Sequence, residues 1–289
     1  MNAPKLHHYV PQFYLRRFAD EQGRLWVWDK EADRVFSTTS GSIAAQTQFY
    51  RLTQYESEGH NPYEMERQLS ELEGYVSKIT DQWLDWLPQM EPEQKLPIPR
   101  PNRRLIAIYL AIQILRTVDT RKLLSAMVEL DNGARPSKQE DRENHTELMW
   151  DPDIVEIYAR RFRRSIWMFA RNQTATPFIT SDNPVAFRSN DNLQWMRSIV
   201  MDRDAYLVFP LSPQAILYCF PRRGSARALA KFADCLSPVA LDDLMVESEN
   251  MGQVFMASRF VISNRENFDA ERDFAPTIGT DFHAPAGDK

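Results

Sequence analysis

Only two of the 289 residues are cysteine, Cys219 and Cys235. That is too few for a disulfide framework, and their spacing matches no thiolate metal cage. Glycine is scarce as well, nine in all, and no Gly-rich phosphate loop appears. The His-Glu-x-x-His zinc helix, the Gly-x-Ser-x-Gly elbow, the Walker lysine and the paired Cys-x-x-Cys are all missing. A formal net charge of -5 gives no whole-molecule basic field to attract nucleic acid, although a local patch is compatible with it. The longest apolar run, residues 105–115, falls short of the roughly 20 residues that span a bilayer. The first eight residues carry no apolar signal core, so a soluble, cytoplasmic protein with no membrane contact is expected.

What is present suits an ordinary globular chain: 43% hydrophobic and 26% charged residues, enough for a substantial core. Tyr14, Leu15 and Phe18 form the apolar stripe of a short helix that Pro11 opens. The runs 24–29 and 34–36 flank a polar turn and predict a hairpin. From Asn61-Pro62, apolar residues at Met65, Leu69, Leu72, Val76, Ile79, Trp83 and Leu87 step by four and three, which predicts one long amphipathic helix. Five prolines between Pro88 and Pro101 end it. A second long helix is expected over 103–130, a polar and mobile stretch over 131–150, and a third helix from Asp151-Pro152. Short apolar runs around 167–169, 177–180, 206–209 and 216–220 predict a mostly antiparallel sheet, followed by a helix over 236–258 and a strand over 259–262. The expected class is α+β, one compact domain over 1–283. Its helical part covers about 61–165, its sheet-rich part about 166–263, the N-terminal segment docks on both, and a frayed tail covers 284–289.

Four features carry possible chemistry. His8, with His7 and Tyr9 beside it, precedes the short helix, whose amino end lowers an imidazole pKa and attracts anions. It is a candidate base or phosphate contact; the competing reading is a neutral histidine hydrogen-bonded under the N-terminus. Gln113 and Arg116 share one side of the second helix. The guanidinium either clamps a phosphate or carboxylate or belongs to a buried structural ion pair. Asp182 and Asn183 stand at a strand end before Pro184, where turn chemistry alone would explain both. The run Arg160-Arg161-Phe162-Arg163-Arg164 reads as a solvated helix face balanced by Asp153 and Glu156, rather than as a phosphate-backbone contact. His60 and His145 fall in polar loop sequence, so any metal site would need acids such as Glu64, Glu71 or Glu73.

With these residues in view, the chain resembles the bacterial domain-of-unknown-function family numbered 4238. The segments that carry the likeness are His8-Tyr9-Val10-Pro11 with Tyr14-Leu15 and Phe18, Leu25-Trp26-Val27 with Asp29, residues 113–117, residues 178–185, and Phe209-Pro210-Leu211-Ser212-Pro213. The resemblance implies a compact bacterial or phage-derived cytoplasmic protein, and it brings no activity or catalytic set with it. It also groups His8, Arg116 and Asp182 as one constellation.

Two functions follow as expectations. One is a hydrolase acting on a phosphate-bearing substrate such as nucleic acid or a nucleotide. There His8 serves as base or phosphate contact, Arg116 stabilises anionic charge, and Asp182 orients the histidine or ligates a divalent metal ion. Tyr9, Gln113 and Asn183 bind substrate. The other is a non-catalytic module with a protein partner, for example in bacterial defence or a toxin–antitoxin pair, in which the same residues form a satisfied buried network.

Overall fold

The computed structural model describes residues 6–52, 56, 58–91, 94–189, 194–196 and 204–278. The expected tail at 284–289 lies outside them. The chain enters as β1 (Leu6–His8), continues through Pro11 into α1 (Gln12–Leu15) and tightens into a 3-10 turn over Arg16–Phe18. The hairpin follows as β2 (Leu25–Asp29) and β3 (Arg34–Thr38), and β4 (Ala45–Thr47) returns to pair antiparallel with β1. The heptad-spaced stripe forms α2 (Glu64–Trp86), with Met65, Leu69, Val76 and Trp83 buried along it. The proline-rich connection contributes β5 (Leu96–Pro97).

The second helix differs from expectation. It is two helices, α3 (Arg100–Leu115) and α4 (Val118–Asn132), interrupted at Arg116-Thr117. Thr117 leaves the helical region (φ -78, ψ 158), and its Oγ1 accepts the Thr120 amide. A threonine that caps a new helix competes directly with continuing the old one. The stretch over 131–150 is also ordered, as α5 (Lys138–Trp150). Its Ser137 and Glu140 close a reciprocal capping box. Its buried side carries Met149 beside the polar His145 and Thr146, and His145 is sealed in, its Nε2–H donating to the Leu115 carbonyl at 2.8 Å while Arg121 Nε donates to Nδ1. Burial, then the Arg121 charge, lowers the His145 pKa to about 3, so the ring stays neutral. Asp151 caps α6 (Pro152–Arg164).

The sheet strands then follow: β6 (Ile166–Asn172), β7 (Thr180–Ser181), β8 (Ala186–Arg188), β9 (Trp195–Met196), β10 (Tyr206–Ser212) and β11 (Ala215–Phe220). The segment expected as a helix over 236–258 starts as strands β12 (Cys235–Leu236) and β13 (Pro238–Leu241). Only from Asp242, whose carboxylate caps it, does α7 (Asp243–Met256) run. After β14 (Phe260–Ser263) comes a short α8 (Asp269–Phe274).

The architecture is α+β. A six-stranded sheet has the order β13-β6-β11-β10-β8-β9, antiparallel except where β13 runs parallel to β6; a four-stranded sheet has the order β3-β2-β14-β7. Helix α2 seats Trp83 edge-on against Trp167 and Phe169 of the larger sheet. The N-terminal segment ties the two sheets together: the Tyr14 ring stacks on Phe209 of β10 at 5.0 Å, and its hydroxyl lies 2.8 Å from Thr180 Oγ1 of β7. One apolar cluster accordingly joins Leu15 and Phe18 to Leu110, Leu217 and Ile262. Among the described residues no helix is long and apolar enough to cross a membrane.

Candidate functional site

Where α2 faces the N-terminal segment there is a cleft of about 450 Å3. Its wall on the helix is a polar stripe, Glu66, Ser70, Glu73 and Ser77, spaced by four, three and four residues, so all four share one face beside the apolar stripe. Across from it stand His8, Gln12 and Arg16, and Arg116 closes the floor.

Arg116 is only 2% exposed, yet its guanidinium is fully engaged. Nη1 donates to Glu73 Oε1 at 2.7 Å, Nη2 to the main-chain carbonyl of His8 at 2.5 Å, and Nε to the Tyr50 hydroxyl at 3.2 Å. Burial alone would lower its pKa; Tyr50 and Glu73 outweigh that and hold the cation. The interruption at Thr117 is what frees this arginine, the C-cap of α3, to reach the N-terminal strand. Gln113, one turn earlier, donates from Nε2 to the Tyr9 carbonyl at 3.0 Å, and its Oε1 has no hydrogen-bond partner among the described residues. Two polar side chains of one helix thus hold two consecutive carbonyls of the entering chain.

The histidines divide. His7 is fully buried and accepts the Tyr50 amide at Nδ1, 2.9 Å away. His8 faces the cleft. Its Nε2–H donates to the Gly41 carbonyl at 3.2 Å, and Gln12 donates to Nδ1 at 3.3 Å, which sets the tautomer. Burial lowers the His8 pKa, so the ring is neutral at pH 7.

Glu66 was not singled out by the sequence, and it is the group with the most unusual environment here. Its side chain keeps 22% exposure, and its buried Oε2 has no hydrogen-bond partner among the described residues, lying 4.0 Å from His7 Nδ1. Burial, with added repulsion from Glu73, pushes its pKa up to about 7 against the pull of Arg116. Glu73 in the same stripe is locked into the Arg116 ion pair. Two carboxyl groups one heptad apart therefore have different environments, the arrangement by which sites separate a proton-exchanging acid from a fixed anion. Arg16 and Lys78 rim the cleft, both exposed and without an ion-pair partner among the described residues.

Asp182 and Asn183 lie elsewhere. Asp182 accepts three main-chain amides, Ser258 at Oδ1 (2.8 Å) and Arg259 and Phe260 at Oδ2 (2.9 and 3.2 Å), and so fastens the turn into β14. Burial pushes its pKa up to about 6 in spite of those donors. The side chain that senses it is Tyr9, whose own pKa is raised by burial and then by the Asp182 charge. Successive residues face opposite ways: His8 lines the cleft, while Tyr9 packs against Phe49 on the Asp182 side. The main-chain amide of Asn183 donates to Ser181 Oγ, so the turn is closed by the serine side chain rather than by that of Asn183. The structure thus joins His8, Tyr9, Gln113 and Arg116, and sets Asp182 behind them rather than in the cleft. Asp182→Ala is expected to leave three amides unpaired and to cost about 2–4 kcal/mol, read as a fall in the urea midpoint at unchanged slope.

The acids suggested for a metal site do not assemble. Glu64 and Glu71 pair with Arg67 on the outer face of α2, and only Glu73 reaches the cleft. Among the described residues no group of three or more His, Cys, Asp or Glu could hold a metal ion.

No curated protein and no solved structure matches the chain. A family model described as "Protein of unknown function (DUF4238)" matches residues 6–267, a span that contains the cleft, the Arg116 network and the Asp182 turn, and the chain belongs to that family.

Proposed function

We propose that this protein is a hydrolase of phosphate esters that works by general acid–base catalysis in the α2 cleft. The observation that carries the reading is Glu66: a carboxyl group lining a solvent-reachable cleft, with a pKa near 7 and one buried oxygen unpartnered among the described residues, beside two exposed cations on the rim. Arg16 and Lys78 take the phosphate oxygens. Ionised Glu66 removes a proton as water oxygen bonds to phosphorus; the ester P–O bond breaks with its electron pair on the leaving oxygen, and Glu66 returns the proton there. His8 offers its neutral ring as a contact. Arg116 is a positioning residue, since its donors hold Glu73, Tyr50 and the His8 carbonyl. Gln113 holds the Tyr9 carbonyl and so fixes the segment that carries His8, while Asp182 and Asn183 stay outside the cleft.

The non-catalytic reading draws on that last point, because Arg116 and Gln113 bind main chain rather than open space. Hydrolysis of p-nitrophenyl phosphate, bis-p-nitrophenyl phosphate and ATP between pH 5 and 9 separates the two. The hydrolase gives a rate that climbs through a midpoint near 7 and levels off. The paired reversal Arg16→Glu with Lys78→Glu raises KM about tenfold or more, at roughly 1 kcal/mol per lost exposed contact. Complete inertness of the parent protein toward all three esters would put the binding module in its place.

A further inference from the structure

The basic run at the end of α6 does not behave as one solvated helix face. Arg161, Arg163 and Arg164 turn toward Arg222 and Arg223, which follow β11, and the five line a hollow of about 820 Å3. Its floor is apolar, with Phe187, Leu207 and Cys219, and among the described residues no acid lines it. Arg163 also belongs to an adjoining hollow of about 860 Å3, where Arg100, Arg103 and Arg104 of α3 join it beside Glu156 and Asp234.

Structural duties account for part of this charge. Arg103 donates to the carbonyls of Arg163 and Ser165, and Arg222 to that of Arg164, which satisfies the open end of α6. Glu156 pairs with Arg163, Asp204 with Arg223, and Asp234 with both Arg103 and Arg222. Arg100, Arg104 and Arg164 are left without an ion pair among the described residues. A chain of net charge -5 therefore concentrates arginine in two hollows that share Arg163. Local surplus of this kind, not the net charge, sets affinity for a polyanion. Arginine forks match phosphate oxygens bidentately, and two hollows sharing one residue suit an extended chain of phosphates better than a single one.

We propose that the paired hollows around Arg163 bind the phosphate backbone of a nucleic-acid strand without reading its sequence. The site is distinct from the α2 cleft and stands whether or not that cleft hydrolyses anything. Fluorescence anisotropy with a labelled twenty-nucleotide dT strand tests it, alongside ATP as the free-phosphate source. With about four phosphates neutralised, the slope of log affinity against log salt is about -3, so Kd rises roughly 50-fold between 50 and 200 mM NaCl. Arg104→Glu and Arg164→Glu, both exposed, each weaken dT binding about tenfold at 50 mM with unchanged thermal midpoints, whereas Lys122→Glu on α4 does not. The proposal fails if dT does not bind at 50 mM, if neither reversal weakens it, or if Lys122→Glu weakens it equally. ATP binding as tightly as the strand also overturns it, because the hollows would then hold free phosphate compounds.

Discussion

Glu66→Gln is expected to lose hydrolytic turnover by about 10²–10⁴-fold and, at pH 8, to melt higher than the parent protein. The two effects have one cause. In the folded state the Glu66 pKa is about 7, against 4.5 in an open chain. Below pH 4.5 both states hold the proton and the group is neutral toward stability. Between 4.5 and 7 the unfolded chain releases its proton first, so stability declines as pH rises, and above 7 the full penalty stands. A difference of some 2.5 units corresponds to about 3 kcal/mol, reduced in glutamine by the burial of its own amide. At roughly 2 °C per kcal/mol for a chain of this size, the variant gains about 3–6 °C at pH 8 and almost nothing at pH 4.5. Differential scanning calorimetry at the two pH values, with turnover measured on the same samples, checks both. A variant that melts lower at pH 8 and still turns over would make Glu66 a supporting group. Gain of stability with loss of activity is the pattern of a site held in an unfavourable state for the sake of its chemistry.

Much of the scaffold around that acid was legible in the letters because local signals agreed. Pro11 with the Tyr14-Leu15-Phe18 stripe, the alternation through Trp26 and Trp28, and the four-three spacing from Met65 to Trp83 each specify one element without help from distant residues. Errors arose where a polar group carried the packing. α5 looked like mobile linker because it has few apolar residues, yet it docks through His145, whose ring bonds Leu115 and Arg121. The break in the long helix was written as Thr117 three residues before Thr120, a cap placed inside an otherwise continuous apolar run. The run over 236–241 shared its apolar content with the helix after it, and only the Asp242 cap marks where strand gives way.

The candidate site shows the same division. His8, Tyr9, Gln113 and Arg116 were visible as unusual residues, and they do meet, though through main-chain carbonyls that no side-chain pattern announces. Glu66 was hidden because a glutamate on a surface helix has no distinctive neighbours in sequence. The signal that finds it is positional: Glu66, Ser70, Glu73 and Ser77 repeat at helical spacing directly beside the buried stripe, where a solvated face would be expected to carry mixed charge. The family resemblance groups Asp182 with the histidine, whereas its two oxygens are taken by three amides at the turn into β14.

Arg116→Met is expected to be the most damaging single change in the cleft. Methionine fills most of the arginine volume, so little of the loss arises from a cavity. What remains is a set of groups arranged around a cation that has gone: Glu73 loses its ion pair, the His8 carbonyl and the Tyr50 hydroxyl lose a donor, and Glu66 loses the positive charge that restrains its pKa. Removing one partner of a buried pair costs about 3–5 kcal/mol, which at this size lowers the thermal midpoint by roughly 6–12 °C. Glu73 can turn outward to water, since its side chain keeps 22% exposure, and this limits the penalty to the lower half of that range. Arg116→Lys discriminates what the guanidinium does. A point charge restores the Glu73 attraction but cannot reach the His8 carbonyl and Tyr50 in the same plane. It should therefore recover about half the lost stability, while the activity midpoint falls below 7, because an N-terminal strand no longer seated against the acid relieves the burial that raises its pKa. A lysine variant that matched the parent protein in both stability and pH midpoint would show that only charge is needed at this position, and the three-way grip on strand, tyrosine and glutamate would have no functional weight.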